Sequence, residues 1–206
     1  MSTPKFVWII SPTKIEVILG ENYELRRSSL VVKSFDEELI SIDSVETYTD
    51  CIVLNTVNPL DLRKNYYVTI GELSANAYIR RDVLDQYFYY TGPLGPQLTD
   101  SAKKLSLNFW SPPCTQATFI LYSRQVTDQA PKQELARIPM TAQEKGIWSL
   151  EWDASTIGIQ DLHGYLYHLE VTCYGKKKLV LDPYAKSMEA HRRQHGTNAL
   201  CGALID

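Results

Sequence analysis

Alternation of apolar and polar residues at every second position is the feature that most constrains this fold. Short runs with that period recur along the chain, and Gly, Pro, Asn or Asp separates them at short intervals. In the run from Lys14 to Leu19, Ile15 and Val17 point to one side while Glu16 points to the other. Several short strands at a spacing of about 8–12 residues are typical of β-sandwiches. The sequence therefore predicts an all-β fold of two consecutive, immunoglobulin-like β-sandwich domains.

A segment of different composition separates the two groups of strands. The stretch from Asp85 to Leu98 combines four aromatic residues with two glycines and two prolines, which predicts an extended linker. We expect one sandwich over residues 1–86, the linker over 87–100, a second sandwich over 101–187 and a tail over 188–206. Only Ser187 to Gln194 has a composition that favours a helix, and its charges leave no apolar stripe.

Charge and hydropathy exclude two classes of partner. The formal net charge is −3, with basic and acidic residues interspersed, so the chain has no field that would concentrate a nucleic acid. The longest apolar stretch, Phe6 to Ile10, is far shorter than the roughly 20 residues of a membrane span, and it is too short for the core of a signal peptide. We therefore expect no nucleic-acid partner, no membrane partner and a cytoplasmic location.

Cysteine and histidine spacing gives no indication of a metal or cofactor. No pair of cysteines has C-x-x-C spacing, so we expect reduced and mostly buried thiols at Cys51, Cys114, Cys173 and Cys201. The histidines lack a neighbouring cysteine or carboxylate cluster. We therefore interpret them as surface or half-buried residues; they are His163, His168, His191 and His195. No cofactor and no metal site are predicted.

Catalytic motifs are absent from the sequence. It has no G-x-S-x-G elbow, no H-E-x-x-H and no glycine-rich phosphate loop. Glycoside hydrolysis needs two carboxylates about 5–9 Å apart in a cleft, but Asp182 fits a turn-forming residue and Glu151 fits a solvated strand face. We therefore assign no catalytic residue and expect this chain to be inactive by itself.

Tryptophans are the residues best suited to bind a sugar, because a sugar ring stacks its C–H face on a flat aromatic surface. The same residues also build sandwich cores. Trp148 and Trp152 share one face of one strand, and Trp8 alternates with Phe6 and Ile10. A core role is favoured for each tryptophan, Trp110 included, and Trp8 and Trp152 are kept as candidate carbohydrate-binding residues.

Seven short segments between Tyr89 and Asp206 carry a resemblance to a known family. They are YTGPLG at 90–95, LNFWSP at 107–112, ILY at 120–122, IPM at 138–140, EKGIWS at 144–149, DLHGYLY at 161–167 and LDPYAK at 181–186. In this order and spacing they resemble the region of bacterial type I pullulanases that precedes the catalytic barrel. The resemblance covers roughly 100 residues.

The resemblance implies a function for both sandwiches. The second would be the isoamylase N-terminal type, family 48 of the carbohydrate-binding modules, and the first would be an additional α-glucan-binding module. The chain would then be the non-catalytic region of a glycoside hydrolase that cleaves α-1,6 branches. Its partners would be α-glucans such as pullulan, glycogen and maltooligosaccharides, bound weakly, and its own catalytic barrel.

Glycogen-binding relatives of the second module hold sugar with residues that this chain lacks. Their stacking tryptophans have no counterpart in Ser123 to Gln129 or in Gly175 to Lys178, and His168 occupies the place of a binding lysine. The resemblance therefore assigns sugar affinity to the first sandwich and barrel packing to the second. The alternative is a stand-alone protein of two immunoglobulin-like sandwiches that recognises protein. A small complete hydrolase would need a carboxylate pair that the sequence does not reveal.

An apolar run closes the sequence. Five apolar residues fall within residues 199–205, namely Ala199, Leu200, Ala203, Leu204 and Ile205, and we expect the chain to have been cut before a missing barrel. Apolar surface of this extent should be covered. We therefore predict that the segment folds back as an edge strand of the second sandwich or is buried against a neighbouring molecule.

Overall fold

The computed structural model describes residues 6–19, 30–124, 133–192 and 198–206. Within them strands predominate, so the predicted all-β fold is confirmed. The chain divides into two compact units, residues 1–89 with 173–175 (unit 1) and residues 90–172 with 176–206 (unit 2). The domain boundaries at 86, 100 and 187 expected from the sequence stay predictions.

Unit 1 is built on one eight-stranded sheet. Its strands are β1 (Phe6–Ser11), β2 (Lys14–Ile18), β3 (Leu30–Ser34), β4 (Leu39–Ile40), β5 (Ile42–Thr47), β6 (Cys51–Thr56), β7 (Tyr66–Ile70) and β8 (Leu73–Ile79). They are ordered β4-β3-β7-β8-β1-β2-β6-β5. Hairpins join β1 to β2 and β7 to β8, whereas β1 and β8 are far apart in the sequence and pair in parallel.

Alternation places one face of this sheet in the core. The inward residues of β1, β2, β3, β6 and β7 are almost fully buried: Val7, Ile9, Ile15, Val17, Val32, Ile52, Leu54, Tyr66 and Val68. These residues come from both halves of the sheet, so its inward face lines an apolar core along the whole strand order. The intervening residues, including Trp8 and Glu16, lie on its outer face.

The segment predicted as a linker contains regular structure instead. Helix α1 spans Arg81–Phe88 and buries Val83 and Phe88, and strand β9 (Gly95–Thr99) pairs with β10 (Lys104–Trp110). A helix of two turns with two buried side chains is too short to show a helical period. Pro96 is compatible with a strand at the edge of its sheet, where a missing N–H donor is tolerated.

Unit 2 contains two sheets, as a sandwich requires. Its other strands are β11 (Cys114–Tyr122), β12 (Glu134–Pro139), β13 (Thr141–Ala142), β14 (Ile147–Asp153), β15 (Leu166–Cys173), β16 (Lys176–Val180), β17 (Ser187–Arg192) and β18 (Asn198–Ala203). One sheet is ordered β13-β14-β10-β9, and the other is ordered β12-β11-β15-β18-β17 with β16 paired to β15. Leu105, Leu107, Phe119 and Tyr167 are buried, and the last two rings stack with centroids 5.4 Å apart.

The apolar run at the end of the sequence folds back and joins a sheet of unit 2, as one of the two predicted outcomes requires, but the predicted edge position is wrong. β18 pairs with β15 on one side and with β17 on the other, and Cys201 and Leu204 are fully buried. The strand is interior to the sheet and not at its edge, because Ser187–Arg192 forms the outer strand β17. The pairing of β17 with β18 overrides the helix-favouring composition of the segment from Ser187 to Gln194. Gln194 itself lies outside the described residues.

Candidate functional site

Four aromatic side chains gather on the outer face of unit 1. Phe6 and Trp8 lie on β1, Tyr78 lies on β8, and Tyr174 belongs to the short 173–175 segment of the same unit. We call this set the aromatic face. The parallel register of β1 and β8 places Trp8 beside Tyr78, and the β1 alternation places Phe6 on the same side as Trp8.

The rings of the aromatic face form a continuous series. The centroids of Phe6 and Trp8 are 6.1 Å apart with an interplanar angle of 22°, and those of Trp8 and Tyr78 are 6.2 Å apart at 55°. Tyr174 meets Tyr78 edge-on, with centroids 4.7 Å apart. These separations are those of interacting aromatic pairs, so the face is held together by its own contacts.

Exposure leaves part of this apolar surface accessible. Phe6 is 53% exposed and Tyr78 is 41% exposed, while Trp8 and Tyr174 are half-buried. Burial raises the pKa of Tyr174 to about 12, so its hydroxyl is neutral at physiological pH. Its backbone N–H donates to Asn65 Oδ1 over 2.7 Å, which fixes that end of the face. Partly exposed aromatic rings of this kind suit the apolar faces of sugar rings.

Polar side chains flank the aromatic face on β2, β5 and β6. Glu16 on β2 is the register partner of Trp8. Farther across the sheet, the Glu46 carboxylate accepts from Asn55 Nδ2 at 2.9 Å and from Tyr48 Oη at 2.7 Å, and Lys14 Nζ lies 3.7 Å from Glu46 Oε1. These contacts lower the pKa of Glu46, the bond from Tyr48 having the largest effect. The outer face thus carries apolar and hydrogen-bonding groups side by side.

The two candidate tryptophans lie in different units. Trp8 is part of the aromatic face. Trp152 is opposite the buried Leu105 in the β10–β14 pair, which places it on the inner face of its sheet, where it is half-buried. Trp148 is 8% exposed and its Nε1 donates to the Ser111 carbonyl at 3.3 Å, so its predicted core role is confirmed. Sugar binding by Trp8 and Trp152 stays a prediction.

Asp182 and Glu151 lie in a turn and on an exposed strand face, respectively. The turn role of Asp182 is confirmed: its Oδ1 accepts from the Tyr184 N–H at 2.9 Å, and its Oδ2 accepts from Tyr167 Oη at 2.9 Å. Burial raises the pKa of this carboxyl. Glu151 is exposed and accepts from Ser106 Oγ on the neighbouring strand, as a solvated strand face requires.

The interpretation of His168 as a surface or half-buried residue is wrong. Its side chain is 3% exposed, and its Nε2 lies 2.7 Å from the Leu200 carbonyl oxygen. Its ring meets Tyr122 edge-on, on the side of the sheet where Leu166 and Cys201 are also buried. A second small core therefore covers this face, and His168 is not available to a sugar. His163 is exposed as expected, and His195 lies outside the described residues.

The prediction of four reduced cysteines is wrong for two of them. Cys114 and Cys173 are disulfide-bonded, whereas Cys51 and Cys201 are thiols outside any disulfide. Spacing along the sequence did not indicate this, because a single sequence does not show which distant residues are neighbours in the fold. Disulfides are typical of oxidising compartments, and the cytoplasmic location stays a prediction.

Metal ligation and membrane spanning have no support in residues 6–19, 30–124, 133–192 and 198–206. In these ranges no group of three or more His, Cys, Asp or Glu side chains is placed to hold a metal ion. The same ranges contain no helix that is both long enough and apolar enough to cross a membrane.

Sequence reasoning missed Tyr78, Tyr174 and Glu16 as members of this region. Strand alternation did contain a signal for Tyr78, because it falls between the buried Ala77 and Ile79 and must point outward. Trp8 becomes the neighbour of Tyr78 only through the parallel pairing of β8 with β1. That pairing has no signature in a single sequence.

Comparison with known proteins identifies a domain in unit 2. Residues 93–185 match the model of carbohydrate-binding module 48 (isoamylase N-terminal domain). Pullulanase A of Streptococcus pneumoniae serotype 2 is 32% identical over 107 residues, which is 52% of this chain and 8% of that protein. Residues 93–185 are therefore similar to this family, and the resemblance to the N-terminal region of pullulanases is confirmed.

Solved structures extend the likeness to unit 1. The pullulanase SAP of Group B Streptococcus matches 100% of this chain with a TM-score of 0.78 and 20% identity, over 27% of its own length. Its structure in complex with maltotetraose gives the same score at 21% identity, covering 99% of this chain and 26% of that one. These matches show a common fold for both units. The chain spans about a quarter of those structures and a much smaller share of the curated relatives.

Proposed function

We propose that this chain is the non-catalytic, α-glucan-binding region of a pullulanase-type enzyme that cleaves α-1,6 branches. The observation that carries the proposal is the match of residues 93–185 to carbohydrate-binding module 48. Identity to pullulanase A over half the chain supports it, and so does the shared fold with a pullulanase solved with maltotetraose. The activity belongs to a catalytic domain outside these 206 residues, and the chain alone does not hydrolyse α-glucans.

Unit 1 supplies the sugar affinity in this proposal. Its aromatic face offers partly exposed rings of Phe6, Trp8 and Tyr78 with polar groups beside them, and sugar rings stack on such surfaces. In unit 2, His168 is buried and Lys176 to Lys178 bring no ring to the hairpin. One or two stacked glucose rings support only about 4–5 kcal/mol, which corresponds to a Kd on the order of 0.1–1 mM.

Unit 2 supports the catalytic domain in this proposal. Met188 and Leu200 lie on one face of the β17–β18 hairpin, since Met188 pairs with Gly202 and Leu200 pairs with Ala190. The two side chains are 56% and 55% exposed. Adjacent exposed apolar side chains on a sheet mark a surface that another domain covers, and the proposal assigns this surface to the barrel.

Calorimetry on the whole 206-residue chain tests the proposal. Maltotetraose should bind with a Kd on the order of 0.1–1 mM, whereas cellotetraose, a β-1,4-linked isomer, should bind more weakly. Trp8→Ala should abolish measurable binding, and Trp152→Ala should leave it unchanged. Absence of maltotetraose binding would contradict a glucan-binding role, and loss confined to Trp152→Ala would assign the site to unit 2.

A reducing-sugar assay tests the predicted inactivity. Pullulan incubated with concentrated, repurified protein should release no new reducing ends, because the sequence provides no identifiable pair of catalytic carboxylates. Turnover that survives repurification would contradict this part of the proposal.

A further inference from the structure

Glu16 stands directly beside the aromatic face, in the interior of the unit 1 sheet. Its strand β2 lies between β1 and β6, and the β1–β2 register pairs Glu16 with Trp8. Side chains of such cross-strand partners share one face, with Cβ atoms about 4.5–5.5 Å apart. Glu16 is half-exposed, so its carboxylate reaches solvent next to the indole ring.

The Glu16 carboxylate has open acceptor sites, unlike the carboxylates around it. Glu46 is held by Asn55, Tyr48 and Lys14. The charge of Glu16 contributes to the raised pKa of Arg80, but the Arg80 guanidinium donates to Asp82 through two nitrogens, each over 2.7 Å. Across the described part of the chain, no hydrogen bond or ion pair engages the Glu16 side chain. Among the described residues, both carboxylate oxygens of Glu16 therefore lack a hydrogen-bond partner beside Trp8.

We propose that Glu16 accepts hydrogen bonds from two adjacent hydroxyl groups of a glucose unit stacked on Trp8. The inference rests on the proposed glucan-binding function of unit 1. An ionised carboxylate offers acceptor sites on both oxygens, and neighbouring equatorial hydroxyls present two O–H donors along one edge of the ring. A hydrogen bond to a charged acceptor is about twice as strong as one between neutral groups.

This arrangement divides the recognition between two side chains. Trp8 contacts the apolar face of the ring and is indifferent to which hydroxyls the ring carries. Glu16 contacts the edge of the ring and requires a pair of free hydroxyls there. The site therefore favours neutral oligosaccharides with unsubstituted vicinal hydroxyls, and it disfavours anionic ones because two negative charges would meet.

Calorimetry with maltotetraose at pH 7 tests the role of Glu16 in the whole chain. Glu16→Ala should weaken binding by about tenfold or more, as expected for the loss of a charge-assisted hydrogen bond. Glu16→Gln should weaken it less, because the amide oxygen still accepts. Glu72→Gln, at an exposed turn position of the same unit, is the matched control and should bind as the unsubstituted chain does.

The outcomes separate this inference from the proposed function. Unchanged affinity in Glu16→Ala and Glu16→Gln, together with lost affinity in Trp8→Ala, would overturn the role of Glu16 and leave the glucan site standing. Absence of binding by the unsubstituted chain would overturn both. Circular dichroism of each variant confirms that it is folded, and Glu16→Gln decides the question if Glu16→Ala is not.

Discussion

Replacing Tyr167 by Phe tests whether a buried polar pair stabilises unit 2. Tyr167 Oη donates to Asp182 Oδ2 over 2.9 Å, and the two residues are 0% and 1% exposed. The substitution removes the donor and leaves a carboxylate oxygen without a partner where water does not reach. Since a hydrogen bond to a charged group contributes about 1.5–3 kcal/mol, Tyr167→Phe should lower the free energy of unfolding by about 2 kcal/mol at pH 7.

The substitution isolates the hydrogen bond because it leaves the packing nearly unchanged. The Phe ring retains the stacking on Phe119, and only the hydroxyl oxygen is lost. For a chain of this size, about 2 kcal/mol corresponds to a fall of roughly 4–8 °C in Tm. Urea unfolding followed by circular dichroism measures the free energy, and Tyr89→Phe, at a position 70% exposed, should be indistinguishable from the unsubstituted chain.

The effect of Tyr167→Phe should also depend on pH. Burial raises the pKa of Asp182 above its unfolded value, so this carboxyl's contribution to stability is present below the unfolded pKa and is lost as pH rises through the folded pKa. Tyr167 offsets part of that loss by donating to the charged form. The destabilisation should therefore be larger at pH 8 than at pH 3. An equal effect at both pH values, or none at pH 8, would refute the reasoning.

Three further experiments test other parts of the structure. Leu204→Ala should lower the free energy of unfolding by about 2–5 kcal/mol, because Leu204 is fully buried. Leu200 is 55% exposed, so Leu200→Ala should change this free energy by less than about 0.5 kcal/mol. Equal effects in urea unfolding would contradict the placement of the C-terminal segment. Gly158→Ala should lower the free energy of unfolding only by the strain of a positive φ, about 1–2 kcal/mol, because nothing lies within 4 Å of the new Cβ. Gly95→Ala should lower it clearly more, because its Cβ would lie 2.5 Å from the Tyr184 carbonyl oxygen. Similar Tm values for the two variants would contradict this contact. Thiol titration in denaturant without reductant should find two thiols, from Cys51 and Cys201, and four would contradict the disulfide-bonded state of Cys114 and Cys173.

Local features of the fold could be predicted from the sequence because they depend on neighbouring residues. The strands Tyr66–Ile70 and Leu73–Ile79 are an example, since a two-residue turn at Gly71 and Glu72 interrupts a clear alternation. Gly71 adopts a φ of +63°, a conformation that favours glycine. The alternation of the two strands and the glycine in the turn are sufficient to predict this hairpin.

Features that depend on distant strands could not be predicted. The aromatic face exists because β8 pairs in parallel with β1, and alternation within either strand contains no information about that pairing. Alternation distinguishes the two faces of a strand, but it does not show whether both faces are covered, so it does not predict the burial of His168. In unit 2 the second face is also buried, by Tyr122, Leu166 and Cys201.

The central claim, that Trp8 is where the chain holds an α-glucan, is tested most directly by nuclear magnetic resonance. The chain has four tryptophans, so four indole N–H signals can be assigned through single Trp→Phe variants and followed during titration with maltotetraose. The signal of Trp8 should move progressively and saturate with a Kd on the order of 0.1–1 mM, while the signal of Trp152 stays in place. A stationary Trp8 signal, with or without movement of Trp152, would contradict the account.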